Sequence, residues 1–259
     1  MRLDDYCCLG RTVPELSKKY GISVCSAGYS RDLDQFVRLY PLPVFSPIRQ
    51  RSIAEVELTR PGHDSRWESW RLNRELPESE LVNVVGEEPT QKVMEWLIDH
   101  QSESIAKLND EKSSLGLIKA EQWEGYFVDR DTKKEVDPCQ KELFDTLDGW
   151  RENRENPFQF KINKLPYLRF KDQDGWHNLQ LREWGAYAWF GKEPDKYEQI
   201  WKNYLKDPTG KDLYLLVGNM CNRRTTWLVI NLFPHKQQSK EKGLFDGICS
   251  SESGAMVAS

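Results

Sequence analysis

Four clusters in this sequence combine residue types that can do chemistry. The first is Asp172 to Trp184, DQDGWHNLQLREW. His177 could serve as an acid or base, with Glu183 as its partner. A helix opening near Asn178 would set His177, Gln180 and Glu183 around its first turn, where free N–H groups favour an anion. The same residues also suit a capped turn with Trp184 in the core. The second cluster is Asp64 to Arg71, DSRWESWR. Asp64 and Glu68 could act as acid–base groups or hold a cation, and Arg66 and Arg71 could clasp phosphate. Mutual salt bridges are the plainer alternative.

The third cluster is Lys18-Lys19-Tyr20 with Arg38 and Tyr40. Cations and rings on one curved sheet can hold single-stranded nucleic acid, bases stacking while lysines and arginines meet phosphates. Equally, the rings belong to a core with Arg38 reaching its rim. The fourth is Arg223-Arg224 at a hairpin tip, placed to touch phosphates or simply to keep the tip solvated.

Several familiar sites are missing. The sequence has no Gly-x-x-x-x-Gly-Lys-Ser/Thr loop, no Gly-x-Gly-x-x-Gly, no His-Glu-x-x-His and no Gly-x-Ser-x-Gly. The six cysteines form no Cys-x-x-Cys pair, and the four histidines are far apart. Reduced, mostly buried cysteines and no metal site are therefore expected. No cofactor is implied, although a divalent metal would be expected if the chain acts as a nuclease or related hydrolase.

Charge is unevenly spread over the 259 residues, whose net is -4. Residues 1–75 carry 12 Lys/Arg and 10 Asp/Glu, residues 76–150 carry 8 and 18, and residues 151–259 carry 17 and 13. A polyanion would be met by the two ends, and the acidic middle could recruit a basic protein partner. No apolar run is long enough to span a membrane. Met1 to Gly10 is acidic where a signal peptide would be basic and then apolar, so a cytoplasmic protein is expected.

The elements that must position these clusters follow from periodicity. Residues 21–28, 35–40 and 52–60 read as short strands punctuated by Pro and Gly; in the last, Ile53, Val56 and Leu58 are expected to face inward. The stripe Met94, Leu97, Gln101, Ile105, Leu108 predicts a helix over 89–108. A strand at 123–128 and a helix at 139–147 follow, then a polar junction at 148–157. Strands at 158–162 and 167–171, helices at 179–192 and 194–206, and a hairpin of 213–218 with 225–233 complete the pattern. The expected fold class is α+β: two small β-rich segments, barrel-like or curved antiparallel sheets, a helical middle, and two helices in the C-terminal half. The expected division is 1–85, an acidic spacer 86–150, a C-terminal segment 151–236, and a disordered tail 237–259.

Two stretches carry a resemblance. One is Tyr20-Gly21-x-x-Val24-Cys25-x-Ala27-Gly28 with Val37-Arg38-Leu39-Tyr40-Pro41 and Asp64-x-Arg66-x-Glu68-Ser69. The other is His177-x-x-Gln180-x-x-Glu183-Trp184 with Leu216-Val217-Gly218-Asn219. Together they resemble a broad group of uncharacterised bacterial proteins, some found in mobile-element or antiphage-defence neighbourhoods. The resemblance implies nucleic-acid business and brings no activity or catalytic residues. The expectation is a nucleic-acid-binding protein, an accessory or effector subunit of a bacterial defence or DNA-processing system. The alternatives are an enzyme acting on nucleic acid or nucleotides, and a protein-interaction module.

Overall fold

The alternating runs of the first 87 residues form strands. In the computed structural model, which describes residues 1–17, 20–129, 164–193, 196–205 and 211–236, these are β1 (Arg2–Arg11), β2 (Glu15–Ser17), β3 (Gly21–Ser30), β4 (Gln35–Pro43), β5 (Ser52–Thr59) and β6 (Ser69–Leu72). A single helical turn, α1 (Glu78–Leu81), precedes β7 (Val82–Glu87). β1, β3 and β4 are antiparallel neighbours, and β5 returns to lie beside β1. β6 fits between β5 and β4, parallel to β4. These five strands close a barrel with Greek-key order. Closure runs through β1, whose Cys7 is in register with both Tyr29 and Ile53. Register shifts such as those at Leu3/Tyr6 and Val24/Ser26 tighten its curvature. Gly28 is required where Tyr6 crosses the wall, since a Cβ there would sit 2.3 Å from the ring.

The remaining elements are α2 (Thr90–Leu97), β8 (Gln101–Ser102), α3 (Ile105–Asp110), β9 (Leu115–Ala120), β10 (Gln122–Asp129), β11 (Lys164–Asp172) and β12 (Gly175–Gln180). They are followed by α4 (Trp184–Lys192), α5 (Tyr197–Leu205), β13 (Lys211–Met220) and β14 (Arg223–Lys236). A second sheet has the order β14-β13-β9-β8, and a third has β10-β11-β12.

The second sheet is covered on both faces. Leu115, Leu117, Leu216 and Ile230 pack on Cys7, Leu9 and Ala27 of the barrel's outer wall and on Met94 and Leu97 of α2. The opposite face, with Ile118, Leu215 and Val217, packs on Phe170 of β11, Phe190 of α4 and Trp201 of α5. Burial on both sides explains why 213–217 is an unbroken apolar run. Each such fully buried aliphatic side chain contributes roughly 1.5–3 kcal/mol. The barrel interior is a separate core built on Tyr6, Val37, Leu39, Val56 and Leu58.

Several elements differ from expectation. The stripe over 89–108 is not one helix. It breaks at 98–104, because the Ser104 side chain accepts from Lys107 N (3.1 Å) and caps a new helix. The helical middle is therefore minor, and β9 carries this stretch into the second sheet. Residues 176–180 form a strand rather than a helix start, because Asp172 Oδ1 accepts the N–H groups of Asp174 and Gly175 and closes a tight turn. The following helix starts instead at Trp184, with Glu183 as its N-cap. In β5 it is Ala54, Val56 and Leu58 that face the barrel interior, while Ile53 packs against its outside. The expected strand at 158–162, helix at 139–147, junction at 148–157 and tail at 237–259 lie outside the described residues. No helix among the described residues is long and apolar enough to cross a membrane.

Candidate functional site

The loop 60–68 joins the fourth and fifth strands of the barrel, and its alternation of charge and aromatic ring has a structural cause. Arg66 is buried and makes a bidentate pair with Asp64, Nε donating at 2.8 and 3.0 Å to its two oxygens. Arg66 Nη1 also donates to the Asn219 carbonyl at 2.8 Å. Burial alone would raise the Asp64 carboxyl, but the hydrogen bonds and charge of Arg66 outweigh it and hold the group down at about 2. Glu68 is fully buried and accepts from Ser114 N, from Ser114 Oγ (2.9 Å) and from Leu115 N (3.3 Å). Arg38 crosses from β4 to the same place, donating to the Ser114 carbonyl and, at 3.3 Å, to Cys25 Sγ. Burial pushes its guanidinium pKa down.

These bonds bolt the barrel loop onto β9 and β13. Arg38, Arg66 and Glu68 are buried and Asp64 is half-buried against Arg66, so the plainer alternative of mutual pairing describes these side chains. Buried charges survive only when paired and hydrogen-bonded in this way. What the bolt leaves outside is Trp67. Its neighbours on either side are anchored, and the ring is 45% exposed.

Trp67 stands between two clefts. One, of about 340 Å³, is lined by Tyr29, Asp34, Phe36, Trp67, His100, Lys107 and Glu111. The other, of about 470 Å³, is lined by Ser65, Trp67, Asn109, Lys112, Ser113, Asn219 and Arg224. Both have Ser113 in their walls, so together they make one groove along the seam of barrel and second sheet. At one end Tyr29 donates its hydroxyl hydrogen to Asp34 Oδ1 (2.6 Å), which leaves its oxygen to accept from His100 Nε2 (2.8 Å). Burial, then the hydrogen bond and charge of Asp34, push the Tyr29 pKa up well above that of a free phenol.

The cations of the groove are Lys107, Lys112 and Arg224. Lys107 is loosely paired with Glu103 at 3.4 Å. Arg224 donates to Ser65 Oγ at 2.9 Å. Lys112 is exposed and has no ion pair among the described residues. It holds φ +58°, the left-handed position that ends α3. Lys112 N donates to the Asn109 carbonyl and Ser113 N to that of Leu108, the paired bonds of a Schellman ending.

The other expected site residues are dispersed. His177 lies on β12 with Nε2 2.9 Å from Asp172 Oδ2, close but without the alignment of a hydrogen bond, and stacks on Phe170. Its expected partner Glu183 instead accepts from Gly185 N and Ala186 N. Gln180 donates to the Tyr187 hydroxyl. Tyr40 meets Tyr20 edge-on at 6.0 Å. Arg71 and Arg223 are exposed, Arg223 at the tip beside the groove residue Arg224. Lys18 and Lys19 lie outside the described residues. Among the described residues no group of three or more His, Cys, Asp or Glu is placed to hold a metal ion. Sequence reasoning missed Tyr29, Asp34, His100, Lys107, Lys112 and Asn219 as site residues, because a groove between two sheets has no linear spacing.

A family model described as "Domain of unknown function (DUF8758)" matches residues 6–100. The match takes in the barrel, the loop with Trp67, and the Tyr29–Asp34–His100 end of the groove; Lys112, Asn219 and Arg224 fall beyond it. No curated protein matches the chain.

Proposed function

We propose that this protein binds single-stranded nucleic acid in the groove centred on Trp67. The observation that carries this reading is an exposed tryptophan, clamped by its buried neighbours, flanked by clefts that present Lys107, Lys112 and Arg224. A ring and phosphate-reaching cations along one path are what a single strand needs, since every base offers a face to stack. The architecture supports it further. A five-stranded Greek-key barrel is that of the OB-fold, whose loop between the fourth and fifth strands contacts oligonucleotides. Here the outer face of the second and third barrel strands, also used in such barrels, is covered by the second sheet, which moves the path to the seam.

The test is a salt-titrated binding assay with labelled single-stranded DNA, RNA and duplex, for the native chain and Trp67→Ala. Single strands are expected to bind in preference to duplex, with affinity falling as salt rises. Loss of one stacking ring costs about 1–3 kcal/mol, roughly a 5- to 150-fold weakening. Unchanged affinity in Trp67→Ala, or a preference for duplex, overturns the reading.

A second reading, acid–base chemistry on a bound strand, rests on the Tyr29–His100–Asp34 chain of hydrogen bonds at the groove's end. Intact oligonucleotide after long incubation with magnesium would remove it, as would cleavage that survives in Tyr29→Phe.

A further inference from the structure

The two clefts beside Trp67 differ in charge. The second is lined by the cations Lys112 and Arg224 and by no carboxylate. The first is lined by the exposed carboxylates of Asp34 and Glu111 against a single cation, Lys107, which already lies 3.4 Å from Glu103. Of the two carboxylates, Asp34 is held in place. It ends the turn between β3 and β4 at φ +49°, a left-handed position that aspartate tolerates, and its N–H donates to the Arg31 carbonyl at 3.2 Å. Its Oδ1 accepts from the Tyr29 hydroxyl (2.6 Å), and Tyr29 is in turn braced by His100 Nε2 (2.8 Å). The Asp34 side chain nonetheless stays 74% exposed, and its Oδ2 has no partner among the described residues.

We infer that the first cleft takes a ribose whose 2′-hydroxyl donates to Asp34 Oδ2, so that the strand selected by the groove is RNA rather than DNA. The inference rests on the single-strand reading above and names which strand that groove prefers. Phosphate is repelled by two exposed carboxylates and drawn to Lys112 and Arg224. A strand stacked on Trp67 therefore turns phosphate to the second cleft and sugar to the first. A carboxylate only accepts, and the 2′-hydroxyl is the donor that ribose has and deoxyribose lacks. The first cleft, about 340 Å³, is within the range of small-ligand pockets. Because the turn and Tyr29 already hold Asp34, little side-chain freedom is lost when the hydroxyl arrives.

The experiment compares three labelled ten-mers binding to the full chain: oligouridylate, its 2′-deoxy counterpart and its 2′-fluoro counterpart. The base is uracil in all three, and fluorine keeps the ribose pucker while removing the donor. Oligouridylate is expected to bind about 3- to 10-fold more tightly than either, the value of one hydrogen bond exchanged with water. In Asp34→Asn the Tyr29 hydroxyl keeps the amide oxygen on its own side and turns the NH2 outward. The preference is then expected to vanish, even though loss of the negative charge tightens all three strands. Its persistence in Asp34→Asn overturns the inference. Asparagine also suits the left-handed position; should the variant still fail to fold, the comparison of three strands on the native chain decides. Equal gains for the ribose and 2′-fluoro strands would trace the preference to sugar shape and overturn the hydroxyl contact. Equal binding of all three, still dependent on Trp67 and salt, overturns the selection of RNA and leaves the single-strand reading standing. Binding of none overturns both.

Discussion

Replacing Lys112 by glycine separates what this residue does for the fold from what it does for the groove. At φ +58° its Cβ crowds the following carbonyl, which for an L-residue costs roughly 1–2 kcal/mol. Glycine relieves that crowding but returns about 0.5–1 kcal/mol through the greater freedom of the unfolded chain. The net is a gain of about 0.5–1 kcal/mol, a rise of roughly 1–4 °C in Tm for a chain of this size. Binding moves the opposite way. Lys112 has no ion pair among the described residues, so its ammonium is available to a phosphate. Its loss is expected to lower the slope of log K against log salt by about 0.7, the value for one contact to a single strand. Thermal unfolding and a salt titration on the same preparation read both effects. A variant more stable yet weaker in binding is what strain kept for a ligand looks like. A lower Tm would refute the strain argument, and an unchanged salt slope would remove Lys112 from the phosphate path.

The bolt between loop 60–68 and the second sheet makes three further predictions. Glu68→Ala leaves the N–H groups of Ser114 and Leu115 without their buried acceptor, and is expected to cost about 1–3 kcal/mol for each in urea unfolding. Asp64, held at about 2 by Arg66, contributes stability that is fully present above pH 4 and is lost as pH falls from about 4 to 2. That arm is worth about 2 kcal/mol and should be absent in Asp64→Asn; parallel pH profiles would contradict it. Arg38→Met takes one of two donors from the Ser114 carbonyl, the Asn219 N–H remaining, and is expected to cost about 1–3 kcal/mol, the value of a charged hydrogen bond, in the same unfolding assay, with the salt slope of binding unchanged, because Arg38 is buried.

Local pattern made much of the barrel legible, and tertiary cover made the rest illegible. β3, β4 and β5 follow from alternation and from Pro and Gly boundaries, and the β13–β14 hairpin from its apolar density. Period two separates Arg38 from Val37 and Leu39, yet it says nothing of what lies over the outer face. Here the second sheet covers that face, so a candidate surface arginine became a buried strut. The run 176–180 alternates, with Trp176 and Asn178 exposed and His177 and Leu179 turned toward Phe170 and the core. The turn chemistry of Asp172 decided for a strand, and with it His177 and Glu183 parted. Within Asp64 to Arg71 the charged residues Asp64, Arg66 and Glu68 turned out to tie the loop down, and the residue they leave exposed is the tryptophan between them. Lys107 and Lys112 come to Trp67 through the bonds of Glu68 with Ser114 and Leu115, and Asn219 joins them through the pairing of β9 with β13, a contact across about a hundred residues of chain.

The most direct test of the groove is photochemical cross-linking of a single-stranded oligonucleotide bearing 5-bromouracil, followed by identification of the modified residue. The account predicts attachment at Trp67, with Tyr29 and Phe36 as neighbours. Attachment instead on the third sheet, at its exposed Trp176 or at Tyr126, would put the strand on a different face and contradict it.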